Sequence, residues 1–549
     1  MKNHLRSTIL ILTIFCTIIA CKPDPAETVV SGKIWTGNPE MPFAESMAIK
    51  DGKILDIGTK DQITKYIGEK TGVFDHPEGL ITPGFIDSHV HFLTGGFRLS
   101  SVQLRDAQTP EEFVNRIQEY AATVPAGTWI MGGDWDHENW GGILPSREWI
   151  DSVTADHPVW ITRLDGHMSL ANSKALELVG IDRSIQNVEG GMIVRNENGE
   201  LTGIFKDNAA FLVEENIPER SAADKDRALQ AAMRYVAENG VTTVHDVSAD
   251  PEIYQRAMQN NELKTRIYAI TFLSKWQLLN DYIKDNGRGN EWLYFGGLKG
   301  FVDGSLGSHT AAFFKPYSDL PADSGLLLNP EKDLYKWISS ADSAGLQVMI
   351  HAIGDRAINT LLNIYERVAT ENGPRDRRFR IEHAQHIAPQ DISRFAELDV
   401  IPSMQPYHAI DDGRWAEKLI GPERIKTTYA FKSLFDSGAQ PAFGSDWFVA
   451  PPLPLEGIYA AVTRRTLDDQ NPTGWVPEQK ISVEQALTAY TRNASRAGFS
   501  ETRTGMLATQ MLADFVVIDR DLFSIEAEEI RDAQILETWI DGKPVFTRE

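Results

Sequence analysis

Short apolar runs, each closed by a polar residue or a turn, recur along the chain between residues 84 and 446. They are Gly84 to His91, Val241 to Val247, Arg266 to Thr271, Leu298 to Asp303, Gln347 to His351, Phe379 to His383, Val400 to Gln405 and Gln440 to Asp446. Their length and their β-branched and aromatic content predict strands. Between them lie stretches with apolar residues at helical spacing, Leu229 to Asn239 and Ala357 to Thr370 among them. Strands that alternate with helices predict a parallel α/β fold, and eight of them suit a (β/α)₈ TIM-like barrel.

The ends of the chain read differently. Thr28 to Val30, Ser46 to Lys50 and Lys53 to Ile57 are strand-like, with Asp51-Gly52 as a hairpin turn. Asp514 to Ile518 and Glu537 to Ile540 are strand-like at the far end, followed by the turn Asp541-Gly542. This pattern predicts a composite β-sandwich assembled from both termini, with residues 28–80 as its first part and 499–549 as its second. Residues 81–95 carry the first barrel strand and 229–498 the rest of the barrel. The gap between them is too long for one crossover and has strand candidates of its own, Trp129 to Gly133 and Pro158 to Arg163. Residues 96–228 are therefore read as a large insertion after the first barrel strand.

An apolar stretch from Ile9 to Ala20 follows Lys2 and Arg6. It is shorter than the roughly 20 apolar residues that span a bilayer and reads as the core of a signal peptide over residues 1–20. The ending Ile18-Ile19-Ala20-Cys21 resembles the lipobox of bacterial lipoproteins, in which the cysteine becomes the lipidated first residue. Residues 21–27 then read as a tether. The expectation is an exported protein anchored to a membrane through lipid on Cys21, on a periplasmic or cell-surface face. Cys16 is the only other cysteine, so the mature chain would hold no disulfide.

The chain has 549 residues, 42% hydrophobic and 24% charged, which is ordinary for a globular protein and too long for a single core. A formal net charge of −23 argues against a nucleic-acid partner, because phosphate backbones repel it.

The chemistry gathers at the strand ends. Alternation along Thr82-Pro83-Gly84-Phe85-Ile86-Asp87-Ser88-His89-Val90-His91 puts His89 and His91 on one face, about 7 Å apart, close enough to converge on one ion. His351, His383 and Asp446 each close a predicted strand, on the face where barrel active sites lie. Lys299 lies in the predicted fourth strand, Gly297 to Asp303. An ammonium cannot ligate a metal, but a desolvated lysine loses its proton more readily and a neutral amine can add CO₂ to become a carbamate. On residue type alone, a salt-bridged Lys299 is the favoured reading.

The HVH pair after TPGFIDS, the strand-four lysine, the two later histidines and the final GSD resemble the amidohydrolase superfamily. GGDWDHENW, DGHMSLANSKAL, FVDGSLGSHTAAF, HAIGDRA and IEHAQ are similar to its YtcJ-like branch, which includes N-substituted formamide deformylases. The resemblance covers nearly everything after residue 28. It implies a dinuclear centre with two divalent ions, zinc given the imidazole-rich ligands. Lys299 would be the carbamate between them, His89, His91 and Asp446 would hold one ion, and His351 and His383 the other.

The activity this implies is hydrolysis of a non-peptide, amide- or formamide-type C–N bond of a small molecule by a metal-bridged hydroxide, with Asp446 as the catalytic proton carrier. His245, Asp303, His309, Trp135 and His167 are candidates for the substrate pocket. Glu382 is expected to point away from His383 by strand alternation, so no orienting task falls to it. Two alternatives stay open: a mononuclear deaminase on the same barrel, and a non-catalytic ligand-binding lipoprotein.

Overall fold

A computed structural model describes residues 24–549. Cys21 and the signal-peptide reading lie outside the described residues. Among the described residues no helix is long and apolar enough to cross a membrane.

The barrel is a sheet of eight parallel strands in sequential order. They are Phe85–Val90, Val241–Asp246, Arg266–Phe272, Leu293–Phe301, Gln347–Ala352, Arg380–His383, Ile401–Met404 and Ala442–Phe443. The helix before the second strand, Ala222–Glu238, shows why the intervening segments fold as they do. Ser221 caps it by accepting from the Asp224 backbone N–H, and Leu229, Ala232, Met233 and Val236 recur at helical spacing to bury one face.

Two strands differ from expectation. The fourth begins earlier, at Leu293, and ends at Phe301. The eighth is reduced to two residues. Pro441 has no N–H to open the ladder, and Asp446 leaves extended backbone with φ 60°.

The eighth strand meets the first to close the ring. Asp446 N–H donates to the His89 carbonyl (2.7 Å) and His91 N–H to that of Trp447 (2.6 Å). Asp87 clamps the seam from below, accepting from the Ser445 hydroxyl (2.6 Å) and backbone N–H (2.9 Å). Gly444 permits the approach, since a Cβ there would lie 2.6 Å from the His89 nitrogen.

Strands from both ends of the chain form one seven-stranded sheet. Phe515–Ile518, from the far end, pairs with Gly72–Pro83, from the near end. The edge strand Lys53–Gly58 returns to touch Leu512, so that Val30, Ile34, Met47, Ile54, Phe515 and Trp539 share one core.

Between the first and second barrel strands a separate six-stranded sheet runs from Val102–Gln103 to Leu201–Asp207. It has its own core around Phe113, Ile117, Trp135 and Ile161. Arg105 ties it to the barrel mouth by donating to the carbonyls of Phe448 (2.5 Å) and Val449 (2.6 Å), just beyond Asp446.

Candidate metal centre

The barrel mouth brings together the residues that close the apolar runs. His89, His383 and Asp446 are buried, with one potential ligand atom from each lying within 4.8 Å of the others. His91 Nε2 lies 3.4 Å and His89 Nε2 3.3 Å from Asp446 Oδ1. Lys299 Nζ is 3.1 Å from His89 Nε2. The His351 ring packs edge-on against His383 with centroids 4.5 Å apart, and its Nε2 lies 3.0 Å from the Gly304 carbonyl.

Two of the imidazoles are oriented by a specific neighbour. His89 Nδ1 lies 2.5 Å from Glu382 Oε2, which leaves Nε2 facing Asp446 and Lys299. His383 Nδ1 lies 2.8 Å from Gln405 Oε1. Fixing one ring nitrogen this way sets the tautomer of the other, which a metal ligand requires.

Glu382 does not point away from the centre as strand alternation predicts. Arg380 and Glu382 point into the barrel, where Glu382 orients His89. His383 breaks the alternation with φ 71°, so both neighbours reach the centre. Holding His383 and Asp446 in left-handed backbone costs about 1–3 kcal/mol each, a strain that clusters at functional sites.

Burial shapes the protonation states. It pushes the Lys299 amine down from 10.5 to about 8, and lowers His89 to about 4, with Lys299 adding to the effect. It also keeps His351 and His383 far below the usual histidine range. Burial alone would raise Asp446, but His89, His91 and His383 hold it well below the usual carboxylate range. Glu382 is likewise raised by burial and, more strongly, lowered by Arg380 and His89.

The donors suit a divalent ion. Neutral imidazoles and an ionised carboxylate face one another, and Asp446 Oδ1 is buried without a hydrogen-bond partner. A charged acceptor left bare in the interior is costly unless a cation sits against it.

A cavity of about 190 Å³ adjoins these groups. Its far walls come from the insertion, with Arg163, Asp165 and His167, and from the segment after the seventh strand, with His408, Asp412 and Trp415. Arg163 is held between Asp136 (2.9 Å) and Asp165 (2.7 Å).

Of the five pocket candidates, His167 alone is among the residues that line this cavity. Trp135 is buried in the insertion core, its indole N–H donating to the Ile161 carbonyl. Asp303 is sealed behind His351, accepting from the backbone N–H groups of Ala312, Ile353 and Gly354. His309 pairs with Asp319 at 3.0 Å, beside Tyr317. His245 is fully buried in the barrel against Arg380.

A parallel barrel with this donor set at its mouth defines a metal-dependent hydrolase. The profile of the amidohydrolase family matches residues 73–546. The chain belongs to that family. The protein LONG AFTER FAR-RED 3 of Arabidopsis thaliana is 39% identical over 534 residues, covering 94% of this chain and 91% of its own. An N-substituted formamide deformylase of Arthrobacter pascens is 25% identical, covering 94% and 97%. Among solved structures, an uncharacterised metal-dependent hydrolase of Pyrococcus horikoshii superposes with a TM-score of 0.73 at 27% identity, covering 91% of this chain and 99% of its own.

Proposed function

We propose that the chain hydrolyses the amide-type C–N bond of a small molecule, a formamide or related acyl amide, at a centre of two divalent ions. The observation that carries this reading is the bare Asp446 Oδ1, buried between the Nε2 atoms of His89 and His91 with Lys299 beside them. His89, His91 and Asp446 would hold one ion and His351 and His383 the other, with Lys299 between them as its carbamate. Zinc suits this imidazole-rich set. Bound there, the ions would supply Lewis acidity toward a carbonyl oxygen and lower the pKa of water to near 7.

The chain's own residues do the remaining work. Asp446 takes the proton from the attacking water and returns it to the leaving nitrogen. Glu382 and Gln405 keep His89 and His383 in the tautomers that present Nε2. Phe301, Phe448 and Trp415 line the cavity and limit water around the reacting bond. The similarity to an N-substituted formamide deformylase supports the bond class.

A one-ion centre, as in a deaminase, is the second reading. It is favoured by the tight set of His89, His383 and Asp446 and by the Gly304 carbonyl taking up His351 Nε2. Elemental analysis after loading with metal and bicarbonate separates the two. The two-ion reading expects about two ions per chain, and one or fewer defeats it. The same preparation, tested on N-substituted formamides and acyl amides, is expected to release the amine; deamination of a heterocycle with every amide untouched would overturn the bond class.

The lipobox-like ending supports a further proposal, that Cys21 carries lipid and anchors an exported protein to a membrane.

A further inference from the structure

The floor of the barrel, opposite the metal-binding mouth, holds polar groups that hydrolysis does not use. Thr243 and His245 share a face of the second strand. His245 is fully buried, with Nδ1 3.0 Å from Arg380 Nη1. A guanidinium can only donate, so Nδ1 accepts and the neutral ring carries its proton on Nε2. That Nε2–H, the Thr243 hydroxyl and the Tyr294 hydroxyl are buried atoms without a hydrogen-bond partner. Two of them converge, since a Cβ on Gly498 would lie 2.5 Å from His245 Nε2 and 2.9 Å from the Tyr294 hydroxyl. Tyr268 braces the spot, stacked on Tyr294 at 4.5 Å and set edge-on to His245.

A cavity of about 350 Å³ opens beside Tyr294, walled by Tyr268, Tyr294 and Gly498 and by Arg288, Arg375 and Arg503; His245 and Thr243 are not among its lining residues. Its one carboxylate, Asp376, is 2.8 Å from Arg378, and Arg375 is 2.9 Å from Asp342. Arg288 donates to the Gly345 carbonyl, and Arg503 lies 5.4 Å over the Tyr294 ring. Among the described residues neither has a carboxylate oxygen within 4.0 Å. Guanidinium groups without a carboxylate partner beside the orphaned Tyr294 hydroxyl suit an acceptor with negative charge.

We propose that the barrel floor is a binding site for a small oxyanion, a carboxylate or a phosphate, separate from the metal centre. An apolar guest would leave the Tyr294 hydroxyl unsatisfied, and a cation would face the arginines. His245, beside Gly498 in the cavity wall, contacts Arg380, which also donates to Glu382, the partner of His89.

The test is calorimetric titration of the metal-loaded protein with inorganic phosphate in one arm and acetate in the other, at an ionic strength held constant with chloride. Wild type is compared with Arg288→Gln/Arg503→Gln and with Tyr294→Phe, which keeps the ring stack. Saturable binding is expected in at least one arm, and the arm that saturates names the anion. Binding should weaken by roughly tenfold or more in the double variant, and should also weaken in Tyr294→Phe. Equal affinity in wild type and the double variant would place the anion at the metal centre and overturn the proposal. Absence of saturable binding in both arms would overturn it as well.

Discussion

Replacing Glu382 with glutamine keeps the shape of a side chain whose charge organises the centre. The carboxylate accepts from His89 Nδ1 at 2.5 Å, from Arg380 Nε at 2.7 Å and from Arg380 Nη2 at 3.0 Å, all fully buried. An amide offers one oxygen and one NH₂ group, so whichever way it turns a donor meets a donor. Turned toward Arg380, its oxygen leaves NH₂ against His89 Nδ1 and drives the ring proton to Nε2, the nitrogen proposed to face the metal. Turned toward His89, it leaves Arg380 without a counter-charge. Breaking a buried ion pair on one side costs about 3–5 kcal/mol, and losing the partner of a metal-bound imidazole costs roughly 10–100-fold in metal affinity. Glu382→Gln is therefore expected to bind metal roughly 10–100-fold more weakly in a chelator competition, and to denature at a lower temperature than wild type when both are metal-free. Metal affinity within about threefold of wild type, well short of that range, together with an unchanged midpoint, would refute the argument that Glu382 positions His89.

Lys299→Ala is expected to abolish amide hydrolysis and lower metal content, and Lys299→Arg to fail as a rescue because a guanidinium forms no carbamate; near wild-type turnover in the alanine variant would make Lys299 structural. Asp446→Asn can still coordinate through its amide oxygen but cannot take a proton. Its kcat should fall by roughly 10²–10⁴-fold with metal still bound, and a loss below about tenfold at full occupancy would assign the proton to another group. Cys21→Ser should move the protein from the membrane to the soluble fraction of a bacterial host, and an unmodified wild-type N-terminus other than Cys21 in mass spectrometry would contradict the anchor.

Much of the barrel was legible because its strands are apolar runs that stop at a polar side chain. That punctuation also marked the residues the mouth brings together. Glu382 escaped because alternation assumes extended backbone, and His383 departs from it with φ 71°. Trp135, His245 and His309 show the limit of residue type. A tryptophan, a strand-end histidine and a loop histidine look alike in sequence whether they face a cavity, a core or a carboxylate, and depth is set by contacts from distant segments. Arg380 was unreadable for the opposite reason. Only Glu382, two residues on, is a local partner, and the others, His245, Ser88 and Ser403, come from three further strands.

The seam where the last barrel strand meets the first has a consequence for how the protein matures. Asp446 and His89 face each other across that seam, although most of the chain separates them in sequence. Contacts between such remote segments carry a loop-closure cost that must be met before they can form. A growing chain that has not yet produced Asp446 can offer His89 and His91 to a metal, but not the carboxylate that completes the set. On the proposed metal-binding reading, ion capture by the full set would act as a checkpoint for ring closure. An ion bound across the join would favour the closed ring over the open one by mass action, acting as a clasp on the same residues that the proposed hydrolysis uses.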